Sequence, residues 1–298
     1  MRATHALCMN LANDARMDMR LRHRRTIIAA SCCWAFGGAG LAAAQAQGTR
    51  QPSAASGAEP TGGDPFGSFQ WPDLKREFLG DAPTLFDDRV QVRAPAFAED
   101  PMNVPVTVSA DALGDVQAIV VLVDRNPIRK VLEYRPSAAL PTVSFRFKLE
   151  QASPVRAAAR TRDGIWHVGG TLVDSAGGGC TAPGQTRSDG SWTRTLGEVS
   201  ARVFPHSEAP GAATSPGSTR VRLRVMHPMD TGLVGGVPAF YVNRLSLQDA
   251  DGRVLMQLDT FEPVSENPVF SFDFRDAPRG PLRLVGSDNN GNRIGGVV

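Results

Sequence analysis

The stretch "TVSFRFKLE", Thr142 to Glu150, decides the fold class of this chain. Val143, Phe145, Phe147 and Leu149 alternate with polar or small residues, and a period of two places them on one face of a β-strand. The stretch therefore predicts a strand with one buried apolar face and one polar face turned to solvent.

Similar strand patterns lie on both sides of this stretch. Before it, "VPVTVSA" (104–110) alternates, and "VQAIVVLVD" (116–124) is a continuous apolar run typical of a buried strand. After it, "VRAAARTRDGIWHVGGTLV" (155–173) is typical of a hairpin that turns at Asp163–Gly164. Short strands at this spacing, with turn residues between them, favour a β-sandwich.

The second half of the chain repeats this style. "TRVRLRVMHP" (219–228) places apolar side chains on one face of a strand and three arginines on the other. Further strands are predicted in "AFYVNRLSLQDADGRVLMQLD" (239–259), "PVFSFDFR" (268–275) and "GPLRLVGSDNNGNR" (280–293). The sequence therefore predicts an all-β protein of two sandwiches.

Composition marks the boundaries of these two domains. Residues 47–69 are rich in Gly, Ser, Ala, Pro and Thr without an apolar period, which predicts a disordered leader. "HSEAPGAATSPGST" (206–219) holds two prolines and no large apolar residue, which predicts a flexible interdomain linker. The first domain is thus predicted over 70–205, where "WPDLKREFLG" (71–80) indicates a short helix, and the second over 220–298.

Residues 1–46 have the features of an export signal. Arg24–Arg25 precedes an uncharged run of small residues, and Ala44–Ala46 fits a cleavage site, so we expect a twin-arginine signal. An ordinary Sec signal is the alternative. Too little apolar chain precedes Cys32 for a lipoprotein cysteine, and the run ends at a cleavage site, which argues against a transmembrane anchor.

Removal of residues 1–46 changes the charge balance of the chain. It takes six arginines and two aspartates from 32 basic and 30 acidic residues, which leaves 26 and 28 and a net charge of −2. With this charge balance we expect the mature chain neither to bind nucleic acid nor to insert into a membrane. We expect the bacterial periplasm, where a single remaining cysteine indicates a reactive thiol or an intermolecular bond.

The mature sequence offers no recognisable catalytic or metal-binding pattern. Its histidines are His167, His206 and His227, none with a second histidine at metal-ligand spacing, and Cys180 has no CxxC partner. We therefore predict no metal and no cofactor. A Cys180–His167 pair stays open at this point, although flexible glycines hold a nucleophile poorly.

Cys180 follows three glycines, Gly177, Gly178 and Gly179, and precedes Thr-Ala-Pro. Glycine permits positive φ and close approach of another backbone, so this stretch predicts an exposed and mobile loop that presents a carrier thiol. An incidental cysteine in a glycine-rich loop is the alternative.

Two groups of motifs carry a resemblance to a known family. "MHPMDTGL" (226–233), "PAFYVNRLSL" (238–247), "PVSENPVFSFDF" (263–274) and "SDNNGNR" (287–293) resemble SoxZ. "ADALGDVQAIVVLVDRNPIRKVLEYRP" (110–136) and the Gly-Gly-Cys at 178–180 resemble the immunoglobulin-like SoxY. Together they resemble the fused SoxYZ-like carriers described as quinoprotein dehydrogenase-associated.

This resemblance implies two immunoglobulin-like domains and a non-catalytic carrier. Cys180 would hold a sulfur intermediate covalently on a glycine arm, and the partners would be periplasmic sulfur-metabolising enzymes or a quinoprotein dehydrogenase system. The family's cysteine lies in a terminal GGCGG, whereas this one is internal and no glycine follows it directly. An accessory protein with an incidental thiol and a self-contained thiol enzyme are the alternative functions.

Replacement of both Arg24 and Arg25 by lysine is expected to leave the precursor in the cytoplasm, because the twin-arginine pathway reads the arginine pair itself. Cell fractionation and immunoblotting measure the distribution, with Arg20→Lys/Arg22→Lys as the control of equal charge. Normal export of the Arg24/Arg25 variant would identify a Sec signal instead.

Overall fold

Strands make up nearly all regular structure in the computed structural model, which describes residues 63–188, 190–204 and 218–297. The helical elements are short turns: α1 (Trp71–Leu74), a π-turn (Lys75–Leu79), a 3-10 turn (Asp111–Leu113) and α2 (Trp192–Thr195). The predicted helix at 71–80 is thus observed as α1 and the π-turn, and it ends at Gly80 with φ 67°.

Sixteen strands follow one another along the described residues. In the first half they are β1 (Thr84–Phe86), β2 (Gln91–Arg93), β3 (Phe97–Ala98), β4 (Val104–Ser109), β5 (Val116–Val123), β6 (Lys130–Arg135), β7 (Thr142–Phe147), β8 (Ser153–Thr161), β9 (Trp166–Ser175) and β10 (Val199–Phe204). In the second half they are β11 (Thr219–Val225), β12 (Val242–Gln248), β13 (Val254–Thr260), β14 (Val269–Phe274), β15 (Arg283–Asp288) and β16 (Arg293–Val297).

The strands form two sheets, and each sheet contains strands of both halves. The larger sheet has the order β1-β9-β8-β5-β6-β13-β12-β15-β16, with β3 paired to β9. The smaller has the order β10-β11-β14-β7-β4-β2. The all-β class and the two immunoglobulin-like halves are confirmed, and the halves join directly by pairing of β6 with β13 and of β7 with β14.

One apolar core runs between the sheets across this junction. The rings of Tyr134 and Phe272, one from each half, lie 5.5 Å apart between centroids. The Tyr134 hydroxyl donates to the carbonyl of Leu140 at 2.9 Å, which satisfies its polar atom inside the core. At the junction, the strand edges of the two halves pair with each other, so neither half leaves an edge free there. The halves therefore share backbone hydrogen bonds as well as buried apolar surface.

Residues 205–217, which include most of the predicted linker at 206–219, lie outside the described residues. The strands on either side of them, β10 and β11, are antiparallel neighbours with Val203 opposite Val221. This stretch therefore connects two adjacent strands of one sheet. The strand β10 falls within the first domain predicted at 70–205, yet it pairs with the second-half strand β11. The domain limits themselves stay predictions.

The prediction of a disordered leader is wrong for residues 63–69, whereas residues 47–62 and the signal at 1–46 lie outside the described residues. The Asp64 carboxylate binds the buried guanidinium of Arg156 at 2.6 Å, and Asp124 binds the same group at 2.7 Å. The ring centroids of Phe66 and Trp71 lie 4.9 and 4.6 Å from the Cζ atom of this guanidinium. A buried cation requires such partners, and they fix this segment on the outer face of the larger sheet.

Proteolytic cleavage within 205–217 is expected to give two fragments that stay associated, because the β6–β13, β7–β14 and β10–β11 pairs all survive the cut. Limited proteolysis followed by size-exclusion chromatography measures this, and the same digest in urea serves as the dissociated control. Elution of separate fragments in native buffer would contradict the continuous sheets.

Candidate functional site: the Cys180 loop

The loop that carries Cys180 leaves the end of β9 and lies against residues 148–150, which follow β7. The amide of Gly178 donates to the Glu150 carbonyl at 3.0 Å, and the amide of Gly179 donates to the Leu149 carbonyl at 3.2 Å. The glycine stretch is thus a turn whose backbone amides are satisfied by the carbonyls of residues 149 and 150.

The glycines are required for a tight turn and a close approach. Gly177 and Gly178 adopt φ values of 94° and 84°, which L-residues with a side chain rarely adopt. A Cβ at Gly179 would lie 2.2 Å from the Pro101 carbonyl oxygen and 2.6 Å from that of Leu149. The three glycines therefore fold the chain back onto the protein, so that in the described structure the loop is packed against residues 148–150 and does not extend as a free arm. Its mobility stays a prediction.

Cys180 itself is completely buried, with 0% of its surface exposed, so our prediction of an exposed thiol is also wrong. Its Sγ lies 3.5 Å from the Lys148 carbonyl oxygen, and its amide donates to Glu150 Oε2 at 2.9 Å. Its carbonyl accepts a hydrogen bond from Thr231 Oγ1 of the second half at 2.7 Å. The cysteine is held by side chains from both halves.

The electrostatic surroundings keep this thiol protonated. Burial raises the pKa of Cys180 to about 12, the neighbouring Glu150 carboxylate adds to the rise, and Lys148 opposes it. Since the thiolate is the nucleophile, the closed site holds Cys180 in its unreactive form at neutral pH.

Lys148 is the basic residue nearest Cys180 in the chain of contacts, and it too is buried. Burial lowers the pKa of Lys148, whereas Glu266, Cys180 and Asp230 oppose that effect. Its Nζ donates to the carbonyl of Met229. Both Lys148 and Glu150 extend the β7 stretch whose alternation defined the fold, so β7 supplies one wall of the site.

The loop beyond Cys180 is anchored on the second half. The Thr186 amide donates to Glu266 Oε2 at 2.9 Å. Arg187 binds Asp230 at 2.6 Å, and its guanidinium lies 4.6 Å from the Trp192 ring. These contacts close the loop over the junction of the halves.

A small cavity of about 100 Å³ lies beneath this part of the loop. Its lining combines the charged residues Lys148, Arg187 and Asp230 with small or apolar residues of the loop and of the second half, among them Pro183 and Val234. Space for a small group therefore exists beside the residues that cover Cys180.

The histidines serve other contacts. His167 Nδ1 lies 2.8 Å from Asp87 Oδ2, and His167 is not among the described contacts of Cys180. Burial lowers the pKa of His227 to about 4, and the amide of Met229 donates to its Nδ1 at 3.1 Å. His206 lies outside the described residues.

Two further structural findings bear on the class of protein. Within residues 63–188, 190–204 and 218–297, no three His, Cys, Asp or Glu side chains are grouped as a metal would require. In the same part of the chain, no helix has the length and apolar character needed to cross a membrane.

Sequence reasoning singled out Cys180 but missed the residues that surround it. Glu150, Thr231 and Glu266 come from three distant stretches, and the strand pairing between the halves brings them to one loop. The sequence did contain one indication of these residues, because Lys148 and Glu150 belong to the predicted strand "TVSFRFKLE".

Comparison with known proteins finds two family models in the chain. The sulfur oxidation protein SoxY matches residues 75–180, and the sulphur oxidation protein SoxZ matches residues 208–296. The first match ends at Cys180. A solved structure, the sulfur carrier protein SoxY from Chlorobium limicola f thiosulfatophilum, is 21% identical, covers 36% of this chain and 96% of its own, and has a TM-score of 0.32. No curated protein matches the chain.

Substitution Gly179→Ala is expected to destabilise the protein by about 3 kcal/mol, because the new methyl group overlaps two backbone carbonyls. Gly178→Ala is the matched control: its Cβ meets nothing within 4 Å, and only its positive φ costs about 1 kcal/mol. Urea unfolding measures both. A larger loss for Gly178→Ala would show that the close approach at Gly179 is not a constraint.

Alkylation of Cys180 by iodoacetamide is expected to be at least about 100-fold slower in the folded protein than in urea at pH 8, because the thiol is buried and its pKa is raised. The folded rate should rise about tenfold per pH unit between pH 8 and 11, since these values lie below the raised pKa. Mass spectrometry measures labelling. Equal rates in folded and unfolded protein would contradict the closed loop.

Proposed function

This chain belongs to the SoxY and SoxZ families, whose domains follow one another in it as a fusion, and we propose that it holds a sulfur-containing intermediate covalently on Cys180. The families make it a sulfur-oxidation carrier protein without catalytic activity of its own. The attachment residue, the compartment and the individual partners are our proposal.

The position of Cys180 carries this proposal. It is the last residue of the SoxY match, and it is the one cysteine outside the predicted signal at 1–46. It also lies where both halves meet, so that a partner bound to either half stands near it. Cys8, Cys32 and Cys33 would be lost with the signal.

Because the Cys180 thiol is buried, the loop must open before a partner enzyme can reach it. To present Cys180, the loop must release the hydrogen bonds from the Cys180 and Thr181 amides to Glu150 and from Thr231 to the Cys180 carbonyl. Two bonds to a carboxylate and one neutral bond amount to about 5 kcal/mol, which leaves the open form at about 1 in 10³ to 10⁴. A partner that binds only the open form can supply that free energy.

The partners follow from the family. SoxY and SoxZ proteins interact with sulfur-oxidation enzymes, and we propose that such enzymes load and unload this chain in the periplasm after export. A quinoprotein dehydrogenase system is a further proposed partner. Neither nucleic acid nor insertion into a membrane is part of the proposal.

The accessory role is the second candidate, and the burial of Cys180 favours it. A thiol with 0% exposure and a pKa raised to about 12 also fits a cysteine that only fills space in the junction. In that case the chain would dock partner enzymes without carrying cargo.

Intact-mass measurement of protein purified from its own cells separates the two candidates. A sulfur adduct confined to Cys180, absent in Cys180→Ser, is the expected result, because no other thiol remains in the mature chain. The Cys180→Ser variant should also lose partner-dependent sulfur oxidation. A free thiol under sulfur-oxidising conditions, together with full activity of Cys180→Ser, would leave only the accessory role.

Removal of the hydrogen bond from Thr231 to the Cys180 carbonyl gives an independent test. Thr231→Val should accelerate both alkylation of Cys180 and adduct exchange, because the loop loses its hydrogen bond to that half. Thr84→Val, which removes a local contact with the Ala82 carbonyl, is the matched control and should leave both rates unchanged. Unchanged labelling of Thr231→Val would argue against the loop as the gate.

A further inference from the structure

The outward face of the six-stranded sheet carries a group of arginines that the proposed function does not use. Strand register places one residue of each strand in a single row across all six strands, and this row contains only Arg, Ser and Thr. In order from the β2 edge it is Arg93, Thr107, Ser144, Ser271, Arg222 and Arg202.

The neighbouring rows enlarge the cationic surface. Arg146, Arg220 and Arg224 point to the same side, and the strands of this face carry one carboxylate, Asp273, which binds Arg220 at 2.8 Å. We define the arginine face as the four exposed arginines Arg146, Arg202, Arg222 and Arg224, and leave out Arg93, which lies at the far β2 edge and donates to Gln91. None of these four makes an ion pair within the described residues.

The arrangement opposes the stability of the sheet. Arg202 and Arg222 lie directly opposite each other on the antiparallel pair β10–β11, and like charges in that position are destabilising. The Arg222 guanidinium lies 5.5 Å from the Phe204 ring, which relieves its charge only in part. An unneutralised cross-strand pair of this kind fits a surface whose counter-charges come from another molecule.

Two depressions lie on this face, and one of them reaches the loop that follows Cys180. They have volumes of about 380 and 390 Å³ and share Arg146 and Val269. The second also contains Arg224 and is bordered by Gln185 and Glu266, the loop and its anchor. Its rim holds the acidic residues Asp100 and Glu266, so the positive charge is concentrated away from the loop and on the strands.

We propose that the arginine face is a docking surface for the acidic face of a partner protein. The planar guanidinium binds carboxylates with two hydrogen bonds, and a cluster of arginines on a sheet can match a cluster of carboxylates. The described strands of this face offer Phe204 as their one exposed aromatic side chain, too few for stacking on bases, and no apolar wedge for a membrane. Where the proposed function holds, such a partner would be placed beside the Cys180 loop.

The test compares two charge-reversed variants of the full mature chain. Arg202→Glu/Arg222→Glu/Arg224→Glu changes the arginine face, whereas Arg162→Glu/Arg253→Glu/Arg279→Glu changes three exposed arginines elsewhere to the same net charge. The probe is fluorescent poly-L-glutamate, and anisotropy measures its affinity at 20 and at 200 mM salt. We expect at least about a tenfold loss for the face variant and less than threefold for the control, with the salt dependence lost only in the former.

Two comparison ligands and one further variant complete the test. Tighter, face-dependent binding of phosphatidylglycerol vesicles or of a single-stranded oligonucleotide than of poly-L-glutamate would overturn the proposal, as would equal losses in the two variants. Arg202→Glu alone should weaken binding and yet raise the melting temperature by about 1–3 °C at low salt, since it removes the like-charge pair. Cys180→Ser should bind the probe as wild type does, which separates this proposal from the carrier function.

Discussion

Pairing of β7 with β14 is the interaction on which the rest of this molecule depends. It joins the two halves within one sheet, and the pairing of β6 with β13 repeats the junction in the other. Because of this register, residues 148–150 of the first half and Thr231 of the second reach the same cysteine. A looser connection between the halves would leave Cys180 with the contacts of one half only.

Most of the strands could be predicted from the sequence, because alternation and turn residues are local. The strand at Thr142–Phe147 and the hairpin at Asp163–Gly164 are examples, and both rest on residues that lie close in the chain. The continuity of the sheets could not be predicted in this way. It depends on which edges pair, and the 205–217 stretch resembles a linker in composition although the strands beside it are neighbours.

The glycines before Cys180 show why composition alone misled at the site. A Gly-Gly-Gly-Cys stretch fits a free arm and a tight turn equally well, since both need a backbone without side chains. What separates them is the space that Pro101 and Leu149 leave at Gly179, and these residues lie far away in the sequence. The identity of the cysteine was local information, whereas its burial and its raised pKa depend on tertiary contacts.

The ion pair between Asp64 and Arg156 determines where a shortened chain can begin and still fold as the first half does here. A recombinant version that began after residue 64 would keep one carboxylate, Asp124, for a guanidinium that is fully buried. A start beyond Trp71 would also uncover Val120, Leu122 and Val168, which this segment covers on the outer face of the larger sheet. A chain that began at residue 75, the first residue of the SoxY match, would therefore omit part of the fold, so residues 64–74 belong to the first half itself.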